Sequence, residues 1–138
     1  MPVTNLQVAQ FLGVRSKSMK DTTRRVVAYI VGRLTSDSKA SSIYDQSISE
    51  HFNFTGNVSQ GNISVYDHSI KCHISGFGTG SSFSLYHYGN GNHISLEIKD
   101  NTFNGYDYDT GNHFTGSVNG NAISLYDYGA GSYFNYTI

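Results

Sequence analysis

From Ile43 to the C-terminus, apolar and polar residues alternate in short runs, the period-two signature of half-buried strands. The runs recur. Tyr66, Tyr86, Tyr106 and Tyr126 lie twenty residues apart, and His73, His93, His113 and Tyr133 each follow seven residues later. Tyr44 and His51 form an earlier copy, offset by a two-residue insertion placed near Val58–Gln60. Five copies of one unit therefore span residues 41–138. A period of this kind outranks local propensity as a guide to architecture.

Each unit holds two strands, and its connectors alternate. One is a four-residue loop with Gly third: Gly89–Asn92, Asp109–Asn112 and Gly129–Ser132. The other is a two-residue turn: Gly80-Ser81, Asp100-Asn101 and Gly120-Asn121. Gly-Ser and Gly-Asn predict type II′ turns, and Asp-Asn a type I′ turn. Links this short join antiparallel neighbours. The expectation is a ten-stranded antiparallel meander, with a parallel solenoid of two strands per coil as its competitor.

Laying the strands against these connectors sets Tyr128 opposite Tyr133, Tyr126 opposite Asn135 and Val118 opposite Ile123. One face then collects Ile63, Phe83, Leu85, Phe103, Ile123 and Leu125, with Asp45, Asp67, His87, Asp107 and Asp127 at its loop end. Gly76, Gly105 and Gly116 fall in the middle of this core face, where they admit a close neighbour. The opposite face carries rows of Tyr and His.

Residues 1–40 lack the repeat. Thr4 or Asn5 is placed to cap a short helix over Leu6–Leu12, ended by Gly13. Ser18 or Asp21 opens a second helix reaching about Leu34, with Met19, Val26, Val27, Ile30, Val31 and Leu34 as a rough apolar stripe. Residues 35–42 read as a linker. Ten strands give a sheet roughly 45 Å wide, but a 16-residue helix is only about 24 Å long. One helix cannot cover such a face laid flat. The sheet must curl around the helix, close into a barrel, or press on a second copy. The expected fold class is α+β in a single domain. A basic helical segment (1–40) packs on a strongly curved five-hairpin meander (41–138), with a closed barrel as the limiting case. Leftover apolar surface and free sheet edges point to a homo-oligomer.

Charge sharpens this picture. The net charge of −1 conceals +5 in residues 1–40 and −6 in residues 41–138. The plain reading is a basic helix on an acidic sheet, with Arg24 and Arg25 meeting the row of aspartates. The less favoured reading is nucleic-acid binding through Arg15, Lys17, Lys20, Arg24 and Arg25. With 38% hydrophobic residues the chain is too apolar for general disorder. Its single cysteine, Cys72, excludes an intramolecular disulfide framework and a cysteine-based zinc site. No apolar run approaches the roughly 20 residues of a spanning helix, and the N-terminus lacks a charged-then-apolar leader. The expectation is a cytoplasmic protein without a membrane partner.

The Tyr/His face is the candidate for chemistry. Flat rings with polar tips suit sugars, bases or a partner protein. The plainer alternative is a ladder of cross-strand pairs that stiffens a solvated sheet. The proposed ligand-binding residues are Tyr66, Tyr86, Tyr88, Tyr106, Tyr108, Tyr126, Tyr128, His93 and His113. His68 and His73, set opposite each other with His51 near, form the best metal candidate, yet no carboxylate lies near them on that face, so no metal is expected. Asp107 and Asp109 hint at calcium without the calcium-roll nonapeptide. Each Asp before a loop is placed either to accept loop N–H groups or to receive the basic helix. No serine elbow, phosphate loop or zinc-protease motif occurs, and Cys72 beside His73 is the one nucleophile pair. The period resembles that of choline-binding repeats, and the Tyr and Gly usage that of membrane-occupation repeats. The Trp of the first and the Gly spacing of the second are absent, so neither transfers a function.

The expectation is a non-catalytic binding or interaction module, without cofactor, that takes a protein or small molecule on its aromatic face. The alternative is a small-ligand carrier or enzyme with a pocket between helix and sheet, near Gly76, Gly105 and Gly116.

Overall fold

The computed structural model describes residues 18–138. One helix, α1 (Asp21–Ser36), is followed by ten strands. These are β1 (Ser42–Asp45), β2 (Glu50–Ser59), β3 (Asn62–Asp67), β4 (Cys72–Thr79) and β5 (Ser82–His87). They continue as β6 (Asn92–Lys99), β7 (Thr102–Asp107), β8 (Asn112–Asn119), β9 (Ala122–Asp127) and β10 (Ser132–Thr137). Every neighbouring pair is antiparallel, which excludes the solenoid, and β1 pairs with β10 to close the meander into a barrel. The helix expected over Leu6–Leu12 lies outside the described residues.

The barrel closes around α1. Ten consecutive helix residues, Thr23 to Gly32, are buried. An amphipathic surface helix cannot achieve this, because its outer stripe faces water. Ten strands about 4.8 Å apart and tilted by about 45° close at a radius of roughly 10 Å. A helix with its side chains is about 10–12 Å across, so one helix and one inward layer of side chains fill the lumen. Closure thus resolves the size conflict: the apolar face turns inward and both sheet edges pair. An uncovered apolar face and free edges were the grounds for expecting self-association, and closure removes both.

Wall and helix fit through size exchange. Tyr29 stacks on Phe54 at 4.4 Å. Gly32 leaves room for the side chains of Ile123 and Ile138. Phe103 lies opposite Gly116, and Phe114 opposite Gly105. A Cβ on Gly105 would sit 2.1 Å from the Ser95 carbonyl oxygen and 2.4 Å from the Phe114 ring. A Cβ on Gly116 would meet the Ser124 carbonyl oxygen at 2.2 Å and the Phe103 ring at 2.3 Å. Such inward glycines let the wall bend sharply while a cross-strand ring fills the gap. The pocket expected beside Gly76, Gly105 and Gly116 is therefore occupied by Leu85, Phe114 and Phe103.

Three local readings are corrected. The four-residue loops begin one residue earlier than the sequence pattern implies. Asp127 pairs with Ser132, so Tyr126 faces Tyr133 rather than Asn135, and Tyr128 lies in the loop. The cause is the aspartate: its Oδ1 accepts the Gly129 N–H at 2.9 Å and its carbonyl accepts the Gly131 N–H at 2.8 Å, which closes the loop directly after Asp127. The two-residue insertion falls inside β2, since Tyr44 faces His51 but Phe54 already faces Asp67 as Ile74 faces His87. In the Asp100-Asn101 turn only Asp100 has positive φ, at 56°, as Gly80 and Gly120 do in theirs. A type I′ turn needs both central residues there.

Candidate functional site

The two ends of the barrel differ because the loops and the turns differ. At the loop end, Asp45, Asp67, His87, Asp107 and Asp127 form an inward ring around the start of α1, and all five are buried. Negative charge there complements the positive end of the helix dipole. Both readings of the aspartates hold at Asp45 and Asp127, where one carboxylate oxygen serves the loop and the other an arginine. Asp127 Oδ1 holds its loop, whereas Oδ2 accepts from the Met19 N–H at 2.9 Å and from Arg24 at 3.0 Å. Asp45 Oδ1 accepts from Ser47 at 3.0 Å, and Oδ2 accepts from Arg25 at 3.3 Å. The guanidinium of Arg24 lies 3.7 Å over Phe134, and that of Arg25 lies 3.6 Å over Phe52. Both arginines are buried among these partners. Lys20 binds Asn90 and Asp109. Arg15 and Lys17 lie outside the described residues.

Elsewhere in the ring, Asp67 Oδ1 accepts the Ser69 N–H at 2.9 Å. His87, standing where the other units have Asp, accepts the Asn90 N–H on Nδ1 at 3.1 Å. Asp67 Oδ2 and His87 Nε2 have no hydrogen-bond partner among the described residues. Burial pushes His87 below the usual imidazole value, opposed by the charge of Asp67. Burial raises the Cys72 thiol, the reverse of nucleophile activation. Cys72 and His73 are neighbours on β4, so their side chains leave the strand on opposite faces. The carboxylate of Asp107 accepts from the Asp109 N–H and the Thr110 hydroxyl. No group of three His, Cys, Asp or Glu placed to hold a metal occurs among the described residues.

The outer face carries the Tyr/His rows in a different arrangement from the expected ladder. Tyr66, Tyr86, Tyr106 and Tyr126 each meet a His or Tyr across the loop hairpin and a Ser or Thr across the turn hairpin. Tyr86, for example, lies between His93 and Ser75. The rings therefore form separate clusters instead of one stack. Tyr86, Tyr88 and His93 make one, with centroids 4.8 Å apart in edge-to-face contact. Tyr106, Tyr108 and His113 make the next at 4.7 Å, and Tyr126, Tyr128 and Tyr133 a third at 4.9 Å. Tyr66 groups with His68 and His73. His68 and His73 are not cross-strand partners; His68 lies in the loop and contacts the Thr55 hydroxyl at 3.1 Å. The directly opposed His68–His73 pair that the sequence pattern implied is therefore not formed; His73 lies opposite Tyr66.

The candidate residues consequently divide into two kinds. Tyr66, Tyr86, Tyr106 and Tyr126 are half-buried and hold their clusters together. Tyr88, Tyr108 and Tyr128 project from the loops and are 58–60% exposed, and His93 and His113 are exposed on the wall. Between clusters lie open clefts, each walled by the His of one hairpin and the loop Tyr of the next. His73 and Tyr88 flank a cleft of about 570 Å³, His93 and Tyr108 one of about 410 Å³, and His113 and Tyr128 one of about 380 Å³. Their floors hold Ser75, Ser95 and Thr115, each twenty residues from the next. These floor hydroxyls share the tyrosine period and are visible in the sequence. What hides their role is the two-residue register difference, which decides who stands beside whom.

The remaining outward wall positions are mainly Ser, Thr and Asn, the inverse of the apolar-out pattern of a membrane barrel. No helix is long and apolar enough to cross a membrane among the described residues. No known protein family, curated protein or solved structure matches this chain.

Proposed function

We propose that this protein is a non-catalytic binding module that uses the repeated outer clefts, with the exposed tyrosines Tyr88, Tyr108 and Tyr128 as its contact residues. One observation carries the reading. The inward positions of the repeat have diverged in size, as folding around a helix demands, but the outward cleft residues recur at the same spacing. The fold does not require tyrosine at the loop position, since His68 occupies it in an earlier copy and Gln46 in the first. Recurrence of a large exposed ring where the scaffold tolerates others is what a contact surface calls for.

In this reading the helix is a structural plug and its arginines are core residues, so nucleic-acid binding through them plays no part. Self-association, where it occurs, uses exposed rings such as Phe77 and Tyr133, which are 60% and 65% exposed. The test is a triple variant, Tyr88→Ser with Tyr108→Ser and Tyr128→Ser, compared with the unaltered protein on arrays of glycans, RNAs and peptides. Binding that disappears in a folded triple variant supports the module. Equal retention by both proteins, or none by either, defeats it.

A further inference from the structure

Resting on that reading, we infer that the clefts are three equivalent sites for neutral sugars, and that the protein engages clustered or branched glycan termini by occupying several at once. Walls and floor correspond across all three, although the first cleft is also lined by Lys71 and Cys72 where the second has Gly91 and Asn92. His73, His93 and His113 form one wall, Tyr88, Tyr108 and Tyr128 the other, and a hydroxyl forms each floor. A pyranose offers C–H groups on its face and hydroxyls around its rim. An exposed phenol ring, with its negative π-face, takes the first. Imidazole, Ser or Thr hydroxyl and Tyr hydroxyl take the second. Cleft volumes of 380–570 Å³ fall within the range of small-ligand sites.

Other occupants fit less well. The repeat region carries a net charge of −6, and no Lys or Arg lines the second and third clefts, so a polyanion meets repulsion. The described wall is closed, so it offers no edge to which a peptide adds as a strand. A greasy ligand needs enclosure, and these clefts are open.

The array also sets the valency. Five hairpins complete the circle, so successive clefts turn by about one-fifth of a revolution. A straight chain cannot lie in three of them, but separate termini of a branched or densely displayed glycan can. Each shallow site binds weakly, and simultaneous engagement raises avidity by about a hundredfold or more.

The experiment is fluorine NMR on the full chain labelled with 3-fluorotyrosine. Titrants are methyl glycosides of galactose, glucose, mannose, fucose and N-acetylglucosamine, then a polymer displaying whichever sugar binds, with polyuridylate and a mixed peptide pool as comparisons. Expected are shifts of the Tyr88, Tyr108 and Tyr128 resonances together, assigned by single Tyr→Ser variants, and about hundredfold tighter binding of the polymer. Shifts at one tyrosine only, or a polymer no tighter than its monomer, overturn the multivalent assignment. If RNA or peptide moves these resonances and no sugar does, the ligand class is wrong while the binding-module reading stands. Silence from every probe defeats both.

Discussion

The inner and outer faces of the barrel wall descend from one twenty-residue period, yet they obey it differently. Outside, Tyr66, Tyr86, Tyr106 and Tyr126 are identical. Inside, the neighbouring positions Val65, Leu85, Gly105 and Leu125 range from no side chain to a full leucine. The helix explains the contrast. A single α-helix has no fivefold symmetry, so each sector of the lumen must be fitted to a different helix surface at interior packing density. Solvent imposes no such demand. Divergence inside records packing, and uniformity outside records either the local ring cluster or a ligand.

The largest expected effect breaks the inner face at its charged end. Asp127→Ala leaves Arg24 with only the Asp21 carboxylate and the Met19 carbonyl and removes the acceptor of the Met19 and Gly129 N–H groups, so a loss of about 3 kcal/mol is expected in urea unfolding. Replacing Arg24 together with Asp127 by apolar residues should recover much of it. Next comes Gly105→Ala, whose added methyl meets the Ser95 carbonyl and the Phe114 ring. About 1–3 kcal/mol should be lost, whereas Gly80→Ala at an open turn should lose less, through its positive φ alone.

A pH experiment probes the one sector where the ring departs from Asp. Burial holds folded His87 below its unfolded value. Below about pH 6.5 the unfolded chain therefore takes up a proton that native His87 refuses, and stability falls as pH falls. Above that value the penalty is absent. His87→Asn should flatten this part of the stability profile relative to the unaltered protein. The smallest effect belongs to the outer face. Tyr88→Ser, Tyr108→Ser and Tyr128→Ser should each change stability by about 0.5 kcal/mol or less, read by thermal melting. A large loss there would mean the clusters hold the fold, and the contrast between faces would fail.

The hairpin period, the inward and outward sets and the aspartate row are legible in the sequence, because strand alternation and turn chemistry act over a few residues. Legible too is the conflict between a wide apolar sheet and a short helix. The register across the loops is not. It depends on Asp127 and its counterparts drawing their loops closed one residue early, and a two-residue difference decides which ring meets which. For the candidate site this turns a predicted ladder into separate clusters with clefts between them, and it moves Tyr88, Tyr108 and Tyr128 from strand to loop.

The sequence by itself determined a repeated antiparallel wall with one apolar and one Tyr/His face, and a basic helix complementary to an acidic sheet. Those follow from periodicity and charge, which are local or additive. Only the tertiary structure decided that the wall closes, that α1 runs inside it, and that the outer rings are divided into clefts. Closure depends on strand tilt, register and lumen volume summed around all ten strands, a global condition that no short window of residues contains.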